Sequence, residues 1–219
     1  MDKKQSLNDG IARLKKLYKV KRRKIIERLA CFRKARGRTD EEIFSELCFC
    51  ILTPRSKAEI CDEIIDRLKK NSFLFKADID KIRPYLKKAR FYRNKSRYIV
   101  EARKFFQRNG RIRIKDRLCA GDIRALRDWL VDNIKGLGLK EASHFLRNIG
   151  LGENIAILDV HILRNLKRYG VIDKLPESLT KNRYLEIEER LKRFSNRVKI
   201  PMAHLDLLFW SLETGKIFK

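Results

Sequence analysis

Hydrophobic residues recur every three or four positions along almost the whole chain, and this spacing predicts helices. No segment of more than a few residues shows the two-residue alternation of a strand. Thr39 and Glu42 form a predicted capping box at the start of the most apolar helix, and Pro201 is expected at the first position of the last one. The pattern therefore predicts an all-α fold. The predicted helices span residues 20–36, 39–54, 55–70, 78–89, 94–107, 122–134, 140–149, 159–169, 183–199 and 201–213.

The chain carries 54 Lys and Arg residues against 28 Asp and Glu residues, a formal net charge of +26. An imbalance of this size indicates a polyanionic partner, and nucleic acid is favoured over an anionic membrane surface. Ion pairing on a thermophile's surface would explain many charged residues but not their imbalance. The sequence has no run of about 18 apolar residues and no apolar signal region at its N-terminus. We therefore expect a cytoplasmic protein that does not enter a membrane.

The five cysteines do not have the spacing of a zinc site or of a disulfide framework. Cys48 and Cys50 are separated by one residue, too close for the two-residue gap of a zinc knuckle. Cys31, Cys48 and Cys61 fall on the apolar faces of predicted helices. We therefore expect buried free thiols, as is usual in a reducing cytosol.

Two predicted amphipathic helices flank a short glycine turn, residues 134–138. Gly136 and Gly138 permit a tight turn and a close backbone approach, and Leu137 between them can insert into the core. The backbone N–H groups at the start of the second helix then form an anion site that suits one DNA phosphate. The alternative is an ordinary helical hairpin that ends in a glycine cap. The charge of +26 favours the DNA-binding interpretation.

Lys140 lies two residues after Gly138, and Asp159 follows nineteen residues later at the predicted start of another helix. A lysine amine must be neutral to act as a nucleophile, and both a helix N-terminus and partial burial disfavour the ammonium form. Each residue has a simpler interpretation, since Lys140 suits a surface position and Asp159 suits a helix cap. Their occurrence together, beside the glycine turn, favours a catalytic pair.

These motifs resemble those of the DNA glycosylase superfamily that carries a helix-hairpin-helix followed by a Gly/Pro-rich loop and an aspartate. Lys140 matches the nucleophile of its bifunctional members, Asp159 matches its aspartate, and their spacing is similar to that of the 8-oxoguanine branch. Residues 52–58, LTPRSKA, resemble the loop that approaches the lesion, and residues 91–99, FYRNKSRYI, resemble the basic helix ahead of the hairpin. No cysteine follows Cys119, so the iron–sulfur cluster of related branches is not expected. The last eleven residues, FWSLETGKIFK, resemble the C-terminus of the small archaeal 8-oxoguanine DNA glycosylases.

The resemblance implies an enzyme that excises 8-oxoguanine from duplex DNA and cleaves the abasic site by β-elimination, without a cofactor or a catalytic metal. It implies a lesion pocket with Trp210 and Phe91 as aromatic faces and the carboxylate of Lys219 as an acceptor. Arg55 stands where the family pattern has a glutamine, which leaves the preference for the opposite base open. The implied substrate-binding residues are Trp210, Lys219, Phe91, Pro54 and Arg55, and the implied phosphate-binding residues are Gly136, Gly138, Lys135 and Lys95.

The resemblance also implies two helical subdomains that flank a cleft and a chain that acts as a monomer. Residues 40–150 would form the domain that holds the hairpin, and residues 1–39 and 151–219 would form the second one. Lys140 and Asp159 would face each other across the cleft, and a K⁺ or Na⁺ ion would bind the hairpin backbone near Gly136 and Gly138. Two alternatives remain open: a glycosylase for another oxidised base, and a DNA-binding protein without catalytic activity.

Overall fold

The computed structural model describes residues 3–118 and 121–217, and these residues are predominantly α-helical. The chain forms two compact units, one of residues up to Arg33 and from Gly152 onwards, the other of residues 34–151. We call these the terminal unit and the hairpin unit. The predicted boundaries, residues 40 and 150, lie close to these. In chain order the elements are α1 (Lys3–Lys34), α2 (Asp40–Leu52), α3 (Ala58–Lys70), α4 (Phe73–Lys76), α5 (Ile79–Ile82), α6 (Tyr92–Phe106), β1 (Gln107–Arg108), β2 (Arg111–Ile112), α7 (Ile123–Asn133), α8 (Leu139–Asn148), α9 (Val160–Arg168), α10 (Lys181–Val198) and α11 (Met202–Thr214).

The hairpin unit is built around α2, whose ten residues from Ile43 to Leu52 are all buried. The predicted capping box is present, because the Thr39 side chain accepts from the Glu42 N–H while the Glu42 carboxylate accepts from the Thr39 N–H. Helices α3, α6 and α8 pack against α2, and α7 packs against α8. The two helices that flank the glycine turn are therefore fixed on a buried central helix.

The core of the terminal unit is formed by one face of α1 and by α9, α10 and α11. The ring of Tyr169, which follows α9, stacks on Phe209 of α11 with centroids 5.5 Å apart. The hydroxyl of Tyr18 in α1 is 2.8 Å from Nδ1 of His204 in α11. The buried side chains of this unit include Leu14, Ile25, Leu29, Ile162, Leu166, Tyr184, Ile187, Leu191, Leu205 and Leu208.

The all-α prediction is confirmed, although several details differ. Helix α1 begins at Lys3 rather than at residue 20, because Leu14 and Ile25 lie on one buried stripe despite the basic residues between them. The predicted helix 78–89 is divided, since α5 ends at Ile82 and a 3-10 turn follows. Pro201 is the N-cap of α11 rather than its first residue, and β1 and β2 form a two-stranded antiparallel hairpin.

The prediction of buried free thiols is right for Cys48 and Cys61, and Cys50 is a third buried free cysteine. It is wrong for Cys31, which is exposed because it lies beside the buried stripe of α1 rather than on it. Ile26 is 37% exposed for the same reason. Within residues 3–118 and 121–217, no helix is both long and apolar enough to span a membrane.

Candidate active site and nucleic-acid interface

The glycine turn of the hairpin unit, residues 134–138, connects α7 to α8. Ile134 caps α7 by donating its N–H to the Leu130 carbonyl at 3.0 Å, and the Leu137 N–H donates to the Ile134 carbonyl at 3.2 Å. The side chain of Leu137 is buried, as the sequence predicts. Arg127 of α7, itself fully buried, donates to the Ser143 hydroxyl of α8 at 3.3 Å. The turn is therefore held by bonds within the hairpin unit and by the buried side chain of Leu137.

The two glycines of this turn differ in how strictly they are required. Gly136 has φ +91, and a Cβ at this position would lie 2.7 Å from Cδ2 of Tyr98. A side chain is therefore opposed by both the backbone conformation and the Tyr98 ring. Gly138 is extended, with φ −97, and a Cβ there would meet only the flexible end of Glu141 at 3.2 Å. The close backbone approach that the sequence predicts thus depends mainly on Gly136.

Lys140 is the second residue of α8, and its side chain is partly exposed, at 24%. Nζ of Lys140 lies 3.6 Å from Oε1 of Glu141. The same carboxylate accepts from the Gly138 N–H through Oε2 at 3.2 Å. Glu141 therefore connects the backbone of the turn to the candidate nucleophile.

Lys135 has the exposure expected of a phosphate-binding residue, since 70% of its side chain is accessible. Its ammonium lies 3.2 Å from the Glu101 carboxylate, an exposed ion pair of the kind that contributes little to stability. A phosphate can therefore replace Glu101 as its partner at small cost.

Lys95 does not have the geometry of the phosphate-binding residue that the resemblance implies, because it is only 4% exposed. Its Nζ donates to the carbonyls of Leu52 at 2.6 Å and Pro54 at 2.7 Å, and to the Ser56 hydroxyl at 3.0 Å. An ammonium has three N–H donors, and all three are used within the protein. Lys95 lies on the buried stripe of α6 with Ile99, so its ammonium is turned toward the protein interior.

Burial lowers the pKa of Lys95 to about 8, while the Cys61 thiol and the Glu141 carboxylate raise it and the Lys140 ammonium lowers it further. Burial likewise raises the pKa of the Cys61 thiol to about 11, against the opposing effect of Lys95 and Lys140. The first turns of α3, α6 and α8 therefore interact electrostatically within the hairpin unit.

Pro54, Arg55 and Phe91, three of the predicted substrate-binding residues, are brought together in the hairpin unit. Arg55 is exposed and has φ +54, and Phe91 is 52% exposed with φ +58. The Ser56 hydroxyl connects their two segments, because it accepts from the N–H of Arg90 at 3.0 Å as well as from Lys95. The guanidinium of Arg90 lies over the Phe91 ring, 5.2 Å from its centroid.

Asp159 lies in the terminal unit and caps α9, as the sequence predicts. Its Oδ1 accepts from the Ile162 N–H at 2.8 Å, and its own N–H donates to the Ile157 carbonyl at 2.9 Å. The carboxylate is partly exposed. The capping bond fixes the direction of the side chain through Oδ1, and Oδ2 remains outside that bond.

The segment before Asp159 is buried and is fixed by two side chains of α10. The Tyr184 hydroxyl donates to the Ala156 carbonyl at 2.6 Å and accepts from the Leu158 N–H at 3.2 Å. The Glu188 carboxylate, 1% exposed, accepts from the Ala156 N–H at 2.7 Å. These bonds satisfy backbone groups of a buried segment that belongs to no helix or strand.

Trp210 also belongs to the terminal unit and is partly exposed on α11. Helix α11 packs against α9 and is joined to it by a bond from Asn165 Nδ2 to Glu213 Oε1 at 3.1 Å. Asp159 and Trp210 are therefore carried on two helices that pack together. Lys219 lies outside the described residues, so its predicted contact with the lesion stays a prediction, as does the placement of Asp159 opposite Lys140.

Within residues 3–118 and 121–217, no cluster of three or more His, Cys, Asp and Glu side chains has the arrangement of a metal site. The predicted K⁺ or Na⁺ position involves backbone carbonyls near Gly136 and Gly138 instead, and it stays a prediction.

The family model described as 8-oxoguanine DNA glycosylase, of the helix-hairpin-helix type, matches residues 25–200. The chain belongs to this family. A relative from Fusobacterium nucleatum, named 8-oxoguanine DNA glycosylase/AP lyase, is 45% identical over 214 residues, which cover 97% of this chain and 99% of the relative. The crystal structure of the 8-oxoguanine DNA glycosylase of Methanocaldococcus jannaschii is similar with a TM-score of 0.86 and 37% identity, and the match covers 98% of this chain and 99% of that one. The enzyme from the same organism, solved in complex with a 15mer DNA containing 8-oxoguanine, is similar with a TM-score of 0.84 and 38% identity over 94% of this chain and 99% of that one.

Three features of this 8-oxoguanine DNA glycosylase family member were not predicted from its sequence. They are the contact of Tyr98 with Gly136, the role of Ser56 as a shared acceptor, and the bonds that Tyr184 makes to the segment before Asp159. For Lys95 a signal was available, since it precedes Ile99 by four residues and so falls on the apolar stripe of its helix.

Proposed function

We propose that the chain excises 8-oxoguanine from duplex DNA and then cleaves the strand at the abasic site through a Schiff base on Lys140. One observation carries the proposal. A partly exposed lysine occupies the first turn of the helix after a Gly-x-Gly hairpin, in a chain that is 45% identical to a protein named 8-oxoguanine DNA glycosylase/AP lyase. The M. jannaschii relative solved with DNA supports the same substrate.

The hairpin would bind the duplex through its backbone. The amides at the start of α8 lie at the positive end of the helix dipole, which favours an anion, and the exposed Lys135 adds a positive charge in the preceding turn. These contacts involve phosphates and are independent of base sequence, so they suit an enzyme that searches for a rare lesion. A K⁺ or Na⁺ ion held by carbonyls near Gly136 and Gly138 would strengthen the same phosphate contact.

The damaged nucleotide would leave the base stack and enter a pocket with Trp210 and Phe91 as aromatic faces, while Pro54 and Arg55 approach the gap. 8-Oxoguanine carries a hydrogen on N7, where guanine has a bare acceptor. A protein acceptor at that position, which we assign to the terminal carboxylate of Lys219, would favour the lesion and leave guanine with two opposed acceptors.

The neutral amine of Lys140 would attack C1′ of the sugar as the bond to the base breaks, and the base leaves with the bonding electrons and takes up a proton. The Asp159 carboxylate stabilises the positive charge that develops on the sugar and accepts a proton from the attacking amine. Ring opening then gives the Schiff base between Lys140 and C1′. Loss of a proton from C2′ expels the 3′ phosphate and cuts the strand, so one lysine serves both steps.

The partner would be chromosomal duplex DNA, with the protein acting as a monomer and without a cofactor. The discriminating experiment compares duplexes that hold a single 8-oxoguanine, a thymine glycol or a normal guanine under single-turnover conditions. We expect base release and strand cleavage on the 8-oxoguanine duplex alone. Equal activity on thymine glycol would assign the chain to another lesion, and binding without base release on every duplex would make it a binding protein.

A further inference from the structure

Lys95 has a charged side chain that the proposed chemistry does not use, and its ammonium is almost completely buried. Removal of an ammonium from water is unfavourable unless protein acceptors replace the lost hydration. The Leu52 carbonyl, the Pro54 carbonyl and the Ser56 hydroxyl supply three such acceptors. Since Leu52 is the last residue of α2, the cation also complements the negative end of that helix.

These bonds fix the backbone on both sides of Arg55. Pro54 precedes it and Ser56 follows it, and an oxygen of each accepts a hydrogen bond from the same Nζ atom of Lys95. Arg55 itself is in the left-handed region, with φ +54, which residues other than glycine rarely adopt. Such a conformation persists only where the surroundings over-determine it, and Lys95 supplies that constraint.

The same cluster fixes the segment of Phe91. The Ser56 hydroxyl accepts from the Arg90 N–H at 3.0 Å, and Phe91 then follows with φ +58 and half of its surface exposed. The Phe91 carbonyl accepts from the Lys95 N–H at 3.1 Å, so Lys95 is connected to this segment through its backbone as well. Two exposed side chains, Arg55 and Phe91, are thus presented from left-handed positions on either side of one shared acceptor.

We propose that Lys95 is the positioning residue that holds Arg55 and Phe91 together as one rigid element for opening the base pair at the lesion. The inference rests on the proposed function and extends it to the step before chemistry. Lys95 would then determine how well the duplex is opened and how the opposite base is read. It would have little influence on an abasic site in single-stranded DNA, which needs no base pair opened and has no opposite base.

The test compares the Lys95→Met variant with the wild-type chain in two single-turnover assays. In duplex DNA with 8-oxoguanine opposite each of the four bases, we expect excision to slow by at least about tenfold and the preference among opposite bases to weaken, because small misplacements are costly. On an abasic site in single-stranded DNA, borohydride trapping should stay within about twofold of wild type, since positioning on a duplex is not required.

Ser56→Ala is the second variant, because it removes one acceptor and the connection to Arg90 while it keeps the buried charge. It should change duplex excision in the same direction by a smaller factor, again without loss of single-strand trapping. Lys104→Met is the matched control, since Lys104 lies on the same helix but is exposed, and all its rates should equal those of wild type.

Unchanged duplex excision and unchanged opposite-base preference in Lys95→Met would overturn the inference. A parallel loss of duplex excision and single-strand trapping would also overturn it, since that outcome marks a general structural role. If Lys95→Met does not fold, Ser56→Ala is judged by the same two criteria. Absence of excision by the wild-type chain would instead overturn the proposed function, and the inference with it.

Discussion

Gly136 is constrained at the residue scale by two independent features, a positive φ and the proximity of the Tyr98 ring. Gly138, two residues later, is constrained by neither, because its backbone is extended and its neighbour is a flexible carboxylate. The Gly-x-Gly pattern suggests two equivalent glycines. The structure assigns the close contact to the first of them.

Gly136→Ala should therefore destabilise the chain by about 1–3 kcal/mol, since alanine resists φ +91 and its Cβ would contact the Tyr98 ring. Chemical denaturation measures the loss directly. Gly138→Ala is the matched control and should lose clearly less stability. A larger loss in Gly138→Ala than in Gly136→Ala would contradict this assignment.

Lys95 also makes the stability of the chain depend on pH in an identifiable direction. Its pKa is about 8 in the folded chain, below the ordinary value of 10.5, so between these values the unfolded chain holds a proton that the folded chain has released. The free energy of unfolding therefore rises with pH across this window, and Lys95 adds no pH dependence below it.

The difference in unfolding free energy between wild type and Lys95→Met should accordingly increase by about 1 kcal/mol in favour of wild type between about pH 7.5 and pH 9. This range lies at or below the ordinary pKa of 9.0 of the neighbouring Cys61 thiol, which limits its contribution. Denaturant titrations of both proteins at several pH values give the comparison. A difference that stays constant over this range would show that Lys95 keeps its proton in the folded chain.

At the scale of elements, the start of α9 depends on α10. The segment of residues 155–158 is buried and lies outside any helix or strand, and the Tyr184 hydroxyl bonds to both Ala156 and Leu158 just before Asp159. The position of the Asp159 carboxylate is therefore set by the helix cap on one side and by α10 on the other.

Tyr184→Phe should cost about 1–3 kcal/mol of stability, because it leaves a buried carbonyl and a buried N–H without their partner. We also expect slower formation of the covalent DNA adduct, since Asp159 is less well held. Tyr169→Phe is the control, as Tyr169 is buried in the same unit but packs on Phe209 instead. Equal rates of adduct formation in Tyr184→Phe and wild type would show that the position of Asp159 does not depend on the Tyr184 hydroxyl.

Much at this scale follows from the sequence, because caps and apolar spacing are local signals. Thr39, Asp122 and Asp159 are N-caps as predicted, and α7 and α8 lie within one or two residues of their predicted bounds. The bonds of Lys95 and Tyr184 join residues 39 to 43 and 26 to 28 positions apart, and no local pattern encodes such pairings. The basic first half of α1 was missed because its single buried stripe is sparse.

At the scale of the whole molecule, the candidate residues are divided between two compact units. The hairpin unit carries the turn, Lys140, Arg55 and Phe91, whereas the terminal unit carries Asp159 and Trp210. The net charge of +26 provides a long-range attraction to DNA that does not depend on base sequence. In the proposed function, specificity for a lesion must then come from the few side chains assigned to the lesion pocket, which is where the sequence is least informative.

The central claim is that Lys140 forms the covalent intermediate, and borohydride trapping on a duplex with a single 8-oxoguanine tests it most directly. The wild-type chain should give a cross-linked species on a denaturing gel, and Lys104→Gln should give the same amount. Lys140→Gln should give no cross-link while it still binds the duplex, because an amide cannot form a Schiff base. A cross-link of undiminished intensity in Lys140→Gln would place the nucleophile elsewhere and contradict the account.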